Sequence, residues 1–133
     1  MKQVLADTTP LYAAFDPSDQ YHARSQTELQ QLEQSGTEVL LLYPTLLEAY
    51  TLVLQRLGTQ QAFIFNQMLI DGVELLNPTG YDYAEAMQQV TRYPDQRITL
   101  VDAVTAIVAE RLKLPVWTYD YHFDIMQATV WRS

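Results

Sequence analysis

Short apolar runs alternate along this chain with longer stretches whose apolar residues recur every three or four positions. Gln3 to Ala6 is the first run, a short buried strand ending at Asp7. Glu38 to Tyr43 is a continuous apolar run of the kind a parallel sheet covered on both faces demands. Val73 to Leu76 and Val116 to Tyr119 predict two further strands, and Ala128 to Trp131 a last one. The intervening stretches predict helices. Thr8-Thr9-Pro10 reads as a threonine cap with proline in the first helical position, and that helix stops at Asp16-Pro17. Ser18 or Asp19 caps a polar helix that closes at Ser35-Gly36. Tyr43-Pro44-Thr45 leads into a helix with an apolar stripe at Leu46, Tyr50, Val53, Leu54 and Leu57 and a polar line at Glu48, Thr51 and Gln55. Gly58-Thr59 opens a helix through Phe63, Phe65, Met68 and Leu69, and Thr79 opens another along Tyr83, Met87 and Val90. From Thr99 runs an almost wholly apolar helix carrying Asp102, broken at Leu114-Pro115; one helical turn follows Asp120. The alternation, with no two-residue hairpin signal, predicts a single α/β domain over 1–133: a parallel sheet with helices on both faces.

Composition narrows the classes. Of 133 residues, 48% are hydrophobic and 18% charged, which suits a globular domain with a substantial core. No apolar run reaches spanning length, and polar residues enter too early for a signal-peptide core, so the expectation is a soluble, cytoplasmic protein without a membrane partner. The absence of cysteine excludes disulfides, thiolate metal sites and a cysteine nucleophile. A net charge of −8 argues against a broad basic surface, but acids gathered around a cation would contribute to that total without opposing a nucleic acid.

The acids carry the chemistry. Thr45-x-x-Glu48, Thr79-x-x-Asp82 and Thr99-x-x-Asp102 all match the capping-box pattern, and Asp7 precedes a helix N-terminus that favours a carboxylate. Each acid alone has a structural explanation, and for Asp82 that explanation is the expected one. Together they point elsewhere. Asp7 and Asp120 both follow short apolar strands, so a parallel sheet brings them to one edge, and Glu48 and Asp102 lie in first turns of helices starting there. Four converging carboxylates repel one another unless protonated or neutralised by a hard, oxygen-seeking divalent ion, Mg²⁺ or Mn²⁺. Thr105, Ala106 and Ala109 are small and are expected to leave the approach to Asp102 open.

The strand entering Asp7-Thr8-Thr9-Pro10-Leu11, the segments Asp19-Gln-Tyr-His22, Pro44-Thr45-Leu-Leu-Glu48 and Leu100-Val-Asp102-Ala103, and the closing Leu114-Pro-Val-Trp-Thr118-Tyr-Asp120-Tyr-His122-Phe123 carry a resemblance. Over nearly its whole length the chain resembles the PIN domain, and in particular the VapC-like toxins of bacterial toxin–antitoxin pairs. The resemblance implies a three-layer α/β/α sandwich around a mainly parallel five-stranded sheet. It also implies Mg²⁺- or Mn²⁺-dependent endoribonuclease activity by a metal-activated water, with Asp7, Glu48, Asp102 and Asp120 as catalytic and metal-holding residues. Implied partners are RNA, a small antitoxin protein and a second copy of the chain in a homodimer.

Thr8, Thr118, His122 and Asp124 are secondary candidates. The hydroxyls of Thr8 and Thr118 are placed to orient carboxylates, although helix capping and strand-end packing explain them equally well. Packing leads for His122, and solvation for Asp124. Arg24, Arg92 and Arg97 are candidates to grip RNA phosphate, against the usual fate of helix-surface arginines, which is solvation. The rival readings are a receiver-like signalling domain, for which Lys2 and Lys113 are poorly placed, and a PIN fold that binds without catalysis. Tyr12 and Trp131 are expected in the core rather than on a partner surface.

Overall fold

The computed structural model describes residues 2–133. Strand β1 (Lys2–Ala6) leads into helices α1 (Thr8–Phe15) and α2 (His22–Gln34). Strand β2 (Thr37–Leu42) runs without a gap into α3 (Tyr43–Leu57), followed by α4 (Thr59–Gly72) and the short strand β3 (Glu74–Leu76). Helices α5 (Gly80–Val90) and α6 (Leu100–Leu112) return the chain to β4 (Val116–Trp117), and the single turn α7 (His122–Ile125) follows.

All four strands are parallel, in the order β3-β2-β1-β4. Alternate residues of each strand face opposite ways, and the two cores follow that period. Val4, Ala6, Leu41 and Trp117 pack with residues of α1 to α4 on one face. Leu5, Leu40, Leu42 and Val116 pack with α5, α6 and α7 on the other. Because β1 connects towards β2 while β4 lies on its other side, the strand order reverses at β1. In open α/β sheets, a crevice opens at the carboxyl ends of the strands flanking such a point. Among the described residues, no helix is long and apolar enough to cross a membrane.

The sheet has four strands rather than the five expected. The segment Ala128 to Trp131 contributes one bridge, Val130 to Val116, with Val116 N–H donating to Thr129 O and Trp131 N–H to Val116 O, both at 2.8 Å. The cause is the shortness of β4. Thr118 and Tyr119, expected in that strand, leave the sheet because the Thr118 hydroxyl turns to Asp7 and the Tyr119 N–H to Thr9. The terminal segment therefore has little strand left to pair with.

Three helix starts also differ. Asp7, not a threonine, is the residue before α1, and Pro10 falls third in the helix. Helix α2 begins at His22 because Ser18 bonds Asp16 through both its N–H and its hydroxyl, while Asp19 accepts from Tyr21 N–H; these bonds make a turn instead. Helix α3 starts at Tyr43, which puts Thr45 third within the helix, so the Thr45–Glu48 box does not form. The Thr45 hydroxyl is buried without a partner among the described residues. Gly58 ends α3 at φ 92, a backbone conformation that glycine takes without a Cβ penalty.

Candidate functional site

Asp7 comes off the end of β1, Asp120 lies three residues beyond β4, Glu48 sits in the second turn of α3 and Asp102 in the first turn of α6. All four line one cleft of about 720 Å³, with Thr8, Thr9, Thr51, Gln55 and Thr99. The polar line of α3, Glu48, Thr51 and Gln55, thus faces this cleft. No lysine or arginine lines it among the described residues.

The cleft holds these acids by unequal means. Asp7 is buried, and its Oδ2 accepts from the Thr118 hydroxyl at 2.8 Å and the Thr9 hydroxyl at 3.0 Å. Burial pushes its carboxyl above the usual range, against the pull of those two bonds. Glu48 Oε1 accepts from the Thr8 hydroxyl at 2.7 Å. Asp120 Oδ1 accepts from His122 N–H at 2.9 Å and lies 3.3 Å from His122 Nδ1. In each of the three, these donors converge on one carboxylate oxygen.

Asp102 differs. The Thr99 hydroxyl accepts from its backbone N–H at 3.1 Å, but the reciprocal half of the box is missing. The contrast with Asp82 is instructive: there both halves form, and Arg111 adds a bidentate ion pair at 2.8 and 2.7 Å. Asp82 is structural, as expected. The Asp102 carboxyl is buried, and desolvation, with Asp7, Asp120 and Glu48 near it, pushes it up to about 8. Ligand atoms of Asp102, Asp120 and His122 lie within 4.8 Å of one another. His122 thus lies beside the acids.

Other candidates separate from this group. Asp124 is exposed and pairs with Arg132 at 3.0 Å. Arg24 pairs with Glu28 at 3.4 Å and lies over the Tyr119 ring. Arg92 and Arg97 are exposed in the α5–α6 connection. Ala106 and Ala109 do not open the approach to Asp102; they sit in the second core and line a cavity nearer the C-terminal end of α6. Tyr12 is core, and Trp131 packs partly buried against the same cluster.

Two buried acids escaped the pattern. Glu28, in polar α2, accepts from Trp117 Nε1 at 3.0 Å and Tyr119 Oη at 2.5 Å, tying α2 to the chain around β4. Asp16 accepts from Tyr12 Oη at 2.6 Å and from Ser18. The only sequence signal for Glu28 is its i, i+4 relation to Arg24 and its place on the face of Leu32.

No family model matches the chain. A curated relative decides the question: ribonuclease VapC26 of Mycobacterium tuberculosis is 30% identical over 112 residues, covering 83% of this chain and 80% of its own. The chain belongs to the VapC ribonuclease family. Solved structures agree on the PIN fold of VapC toxins. VapC20 of M. tuberculosis, a sarcin–ricin-loop cleaving toxin, superposes with a TM-score of 0.84 at 20% identity, covering 98% of this chain and 99% of that one. VapBC2 of Rickettsia felis, solved bound to a promoter DNA fragment, gives 0.75 at 12% identity over 96% of both chains. FitAcB of Neisseria gonorrhoeae gives 0.67 at 20% identity, covering 97% and 96%. This VapC-like chain is a PIN-domain toxin with an acidic group able to hold a metal ion at its sheet edge.

Proposed function

We propose that the chain is a Mg²⁺- or Mn²⁺-dependent endoribonuclease that hydrolyses RNA phosphodiester bonds at the cleft formed by Asp7, Glu48, Asp102 and Asp120. The observation carrying this reading is Asp102, a buried acid beside three others, with no basic side chain in the cleft wall among the described residues to neutralise it. That donor set, carboxylate oxygens with one imidazole, fits a hard divalent cation. When bound, such an ion supplies the positive charge that acidifies a water and stabilises the oxygen leaving phosphorus.

The chain's own residues supply position. Thr118 and Thr9 clamp one oxygen of Asp7, Thr8 clamps one of Glu48, and the His122 N–H clamps one of Asp120. These bonds fix the three carboxylates before any ligand arrives, so ordering them is not left to the moment of binding. Asp102 holds a proton at neutral pH in the cation-free protein and would have to lose it to serve as a cation ligand.

The proposed protein partners are a small antitoxin and a second copy of the chain. Support comes from the exposed apolar side chains Leu47, Phe63, Ile64 and Met68 on α3 and α4, a surface that a partner would cover. To test the nuclease reading, the purified protein is incubated with structured RNAs in Mg²⁺, in chelator, and as Asp7→Asn. Cleavage is expected in the first condition alone; cleavage surviving both chelation and the substitution would sink the proposal. Growth arrest on expression, relieved by a protein encoded next door, tests the antitoxin separately.

A further inference from the structure

The acid cleft repels the polyanion it is proposed to cut, so the RNA needs attachment close by. A second cavity of about 220 Å³ adjoins the first, and Thr8, Thr9 and Leu52 belong to both walls. Its remaining wall is Tyr12, Asp19, Gln20, Tyr21, Arg56 and Tyr119. The Tyr21 and Tyr119 rings lie 5.0 Å apart, tilted by 52°. Tyr119 is held from three sides: its N–H donates to Thr9 Oγ1 at 3.0 Å, its hydroxyl to Glu28 at 2.5 Å, and the Arg24 guanidinium lies 4.2 Å from its ring centre. Arg24 is not part of the cavity wall and braces the ring from outside it. Tyr21 is exposed.

Arg56, in the last turn of α3, is the one basic residue lining either cleft among the described residues. Its guanidinium lies 5.0 Å from the Tyr12 ring and close enough to the Asp16 carboxylate to lower it, without forming a salt bridge among the described residues. The Thr9 hydroxyl that accepts from Tyr119 also donates to Asp7 Oδ2, so aromatic wall and acid are fixed in register by a single side chain.

We propose that this second cavity is the subsite for an unpaired nucleotide adjoining the cleaved phosphate. The base stacks on the Tyr21–Tyr119 pair and Arg56 meets the neighbouring backbone phosphate. Stacking of this kind accepts any base, because every base offers a π face, and it tolerates an acidic protein because one local cation replaces a broad basic surface. The inference rests on the ribonuclease reading for its substrate class, and the test separates the two.

A labelled single-stranded RNA hexamer is bound to the full-length protein in chelator at low salt and followed by fluorescence anisotropy. Tyr21→Ala is expected to weaken binding about 5- to 100-fold, the range found for removing one stacking ring, and Tyr21→Phe to restore it. Arg56→Ala weakens binding and flattens its salt dependence; Arg56→Lys recovers part of both. Lys2→Ala, at the opposite end of β1, binds as wild type. Scanning one abasic position along the hexamer locates the stacked nucleotide, where wild type and Tyr21→Ala then bind equally. Absence of wild-type binding, or binding unchanged by Tyr21→Ala and Arg56→Ala, overturns the subsite. Cleavage is read in parallel with Mg²⁺. Binding through Tyr21 and Arg56 without cleavage sinks the nuclease reading alone, whereas unimpaired cleavage by both alanine variants sinks the subsite alone.

Discussion

Asp102→Asn is expected to stabilise the cation-free protein while disabling it. The folded chain holds the Asp102 carboxyl at about 8, against an ordinary 3.8, because burial and then the charges of Asp7, Asp120 and Glu48 disfavour ionisation. Between those values the folded state binds the proton and the unfolded state does not. Stability therefore falls as pH rises from about 4 to about 8, the reverse of a salt-bridged carboxylate. At 1.36 kcal/mol per unit the full shift sets a ceiling of about 6 kcal/mol. Relaxation and water entering an open cleft reduce this to about 2–3 kcal/mol, since buried sites behave as if the local dielectric were well above that of dry protein. Asparagine has nearly the same shape, carries no charge and donates to Asp120, so it removes this cost at pH 8. With an unfolding entropy of about 2.1 cal/mol/K per residue, the gain corresponds to about 8 °C in melting temperature. Thermal unfolding by circular dichroism in chelator, at pH 8 and pH 5, is the assay. The variant melts higher at pH 8, the gap narrows at pH 5, and RNA cleavage is lost at both. A variant that melts below wild type at pH 8 in chelator would refute the electrostatic reasoning.

Three further substitutions probe what holds the site. Thr118→Val removes both the bond to Asp7 and the acceptor for Asp120 N–H; cleavage in Mg²⁺ drops about 10- to 100-fold, with Thr118→Ser largely restoring it. Glu28→Ala leaves the buried Trp117 Nε1 without its acceptor and releases the Tyr119 hydroxyl; urea unfolding shows a loss of about 2–4 kcal/mol, and Glu28→Gln, which keeps an acceptor, loses less. Arg111→Ala strips the bidentate partner from the fully buried Asp82. Its melting temperature falls while cleavage per folded molecule is unchanged. The gap from wild type narrows as pH falls, because the lowered Asp82 carboxyl contributes stability above its unfolded value and loses it as pH falls through the folded one.

Most of the fold was legible because short apolar runs alternate with helical stretches, which predicts a parallel sheet covered on both faces; the strand order β3-β2-β1-β4 was not legible in that pattern. The fifth strand misled because Ala128 to Trp131 has strand-like residues but depends on β4 for a partner, and β4 is cut short by Thr118 turning towards Asp7. That competition is tertiary and leaves no local trace. The convergence of Asp7, Glu48, Asp102 and Asp120 was legible because parallel strands place their carboxyl ends together, whatever the side chains do. Their environments were not. Thr79-x-x-Asp82 and Thr99-x-x-Asp102 are alike in sequence, yet only the first completes its box, since Arg111 reaches Asp82 from the next helix whereas acids surround Asp102. Glu28 and Arg56 were missed for a related reason: charges on helices usually face solvent, and only packing shows that one is buried and the other borders a cavity.

The central claim, that four acids converge to hold a divalent cation, is tested most directly by titrating Mn²⁺ into the chelator-stripped protein at pH 7 by calorimetry, in buffers of different ionisation enthalpy. Because the Asp102 carboxyl sits at about 8 without a cation and burial raises Asp7 as well, wild-type binding is predicted to release protons. Asp102→Asn is predicted to bind more weakly and to release fewer. A wild type that binds no Mn²⁺, or an Asp102→Asn variant that binds it as tightly as wild type, would contradict the account.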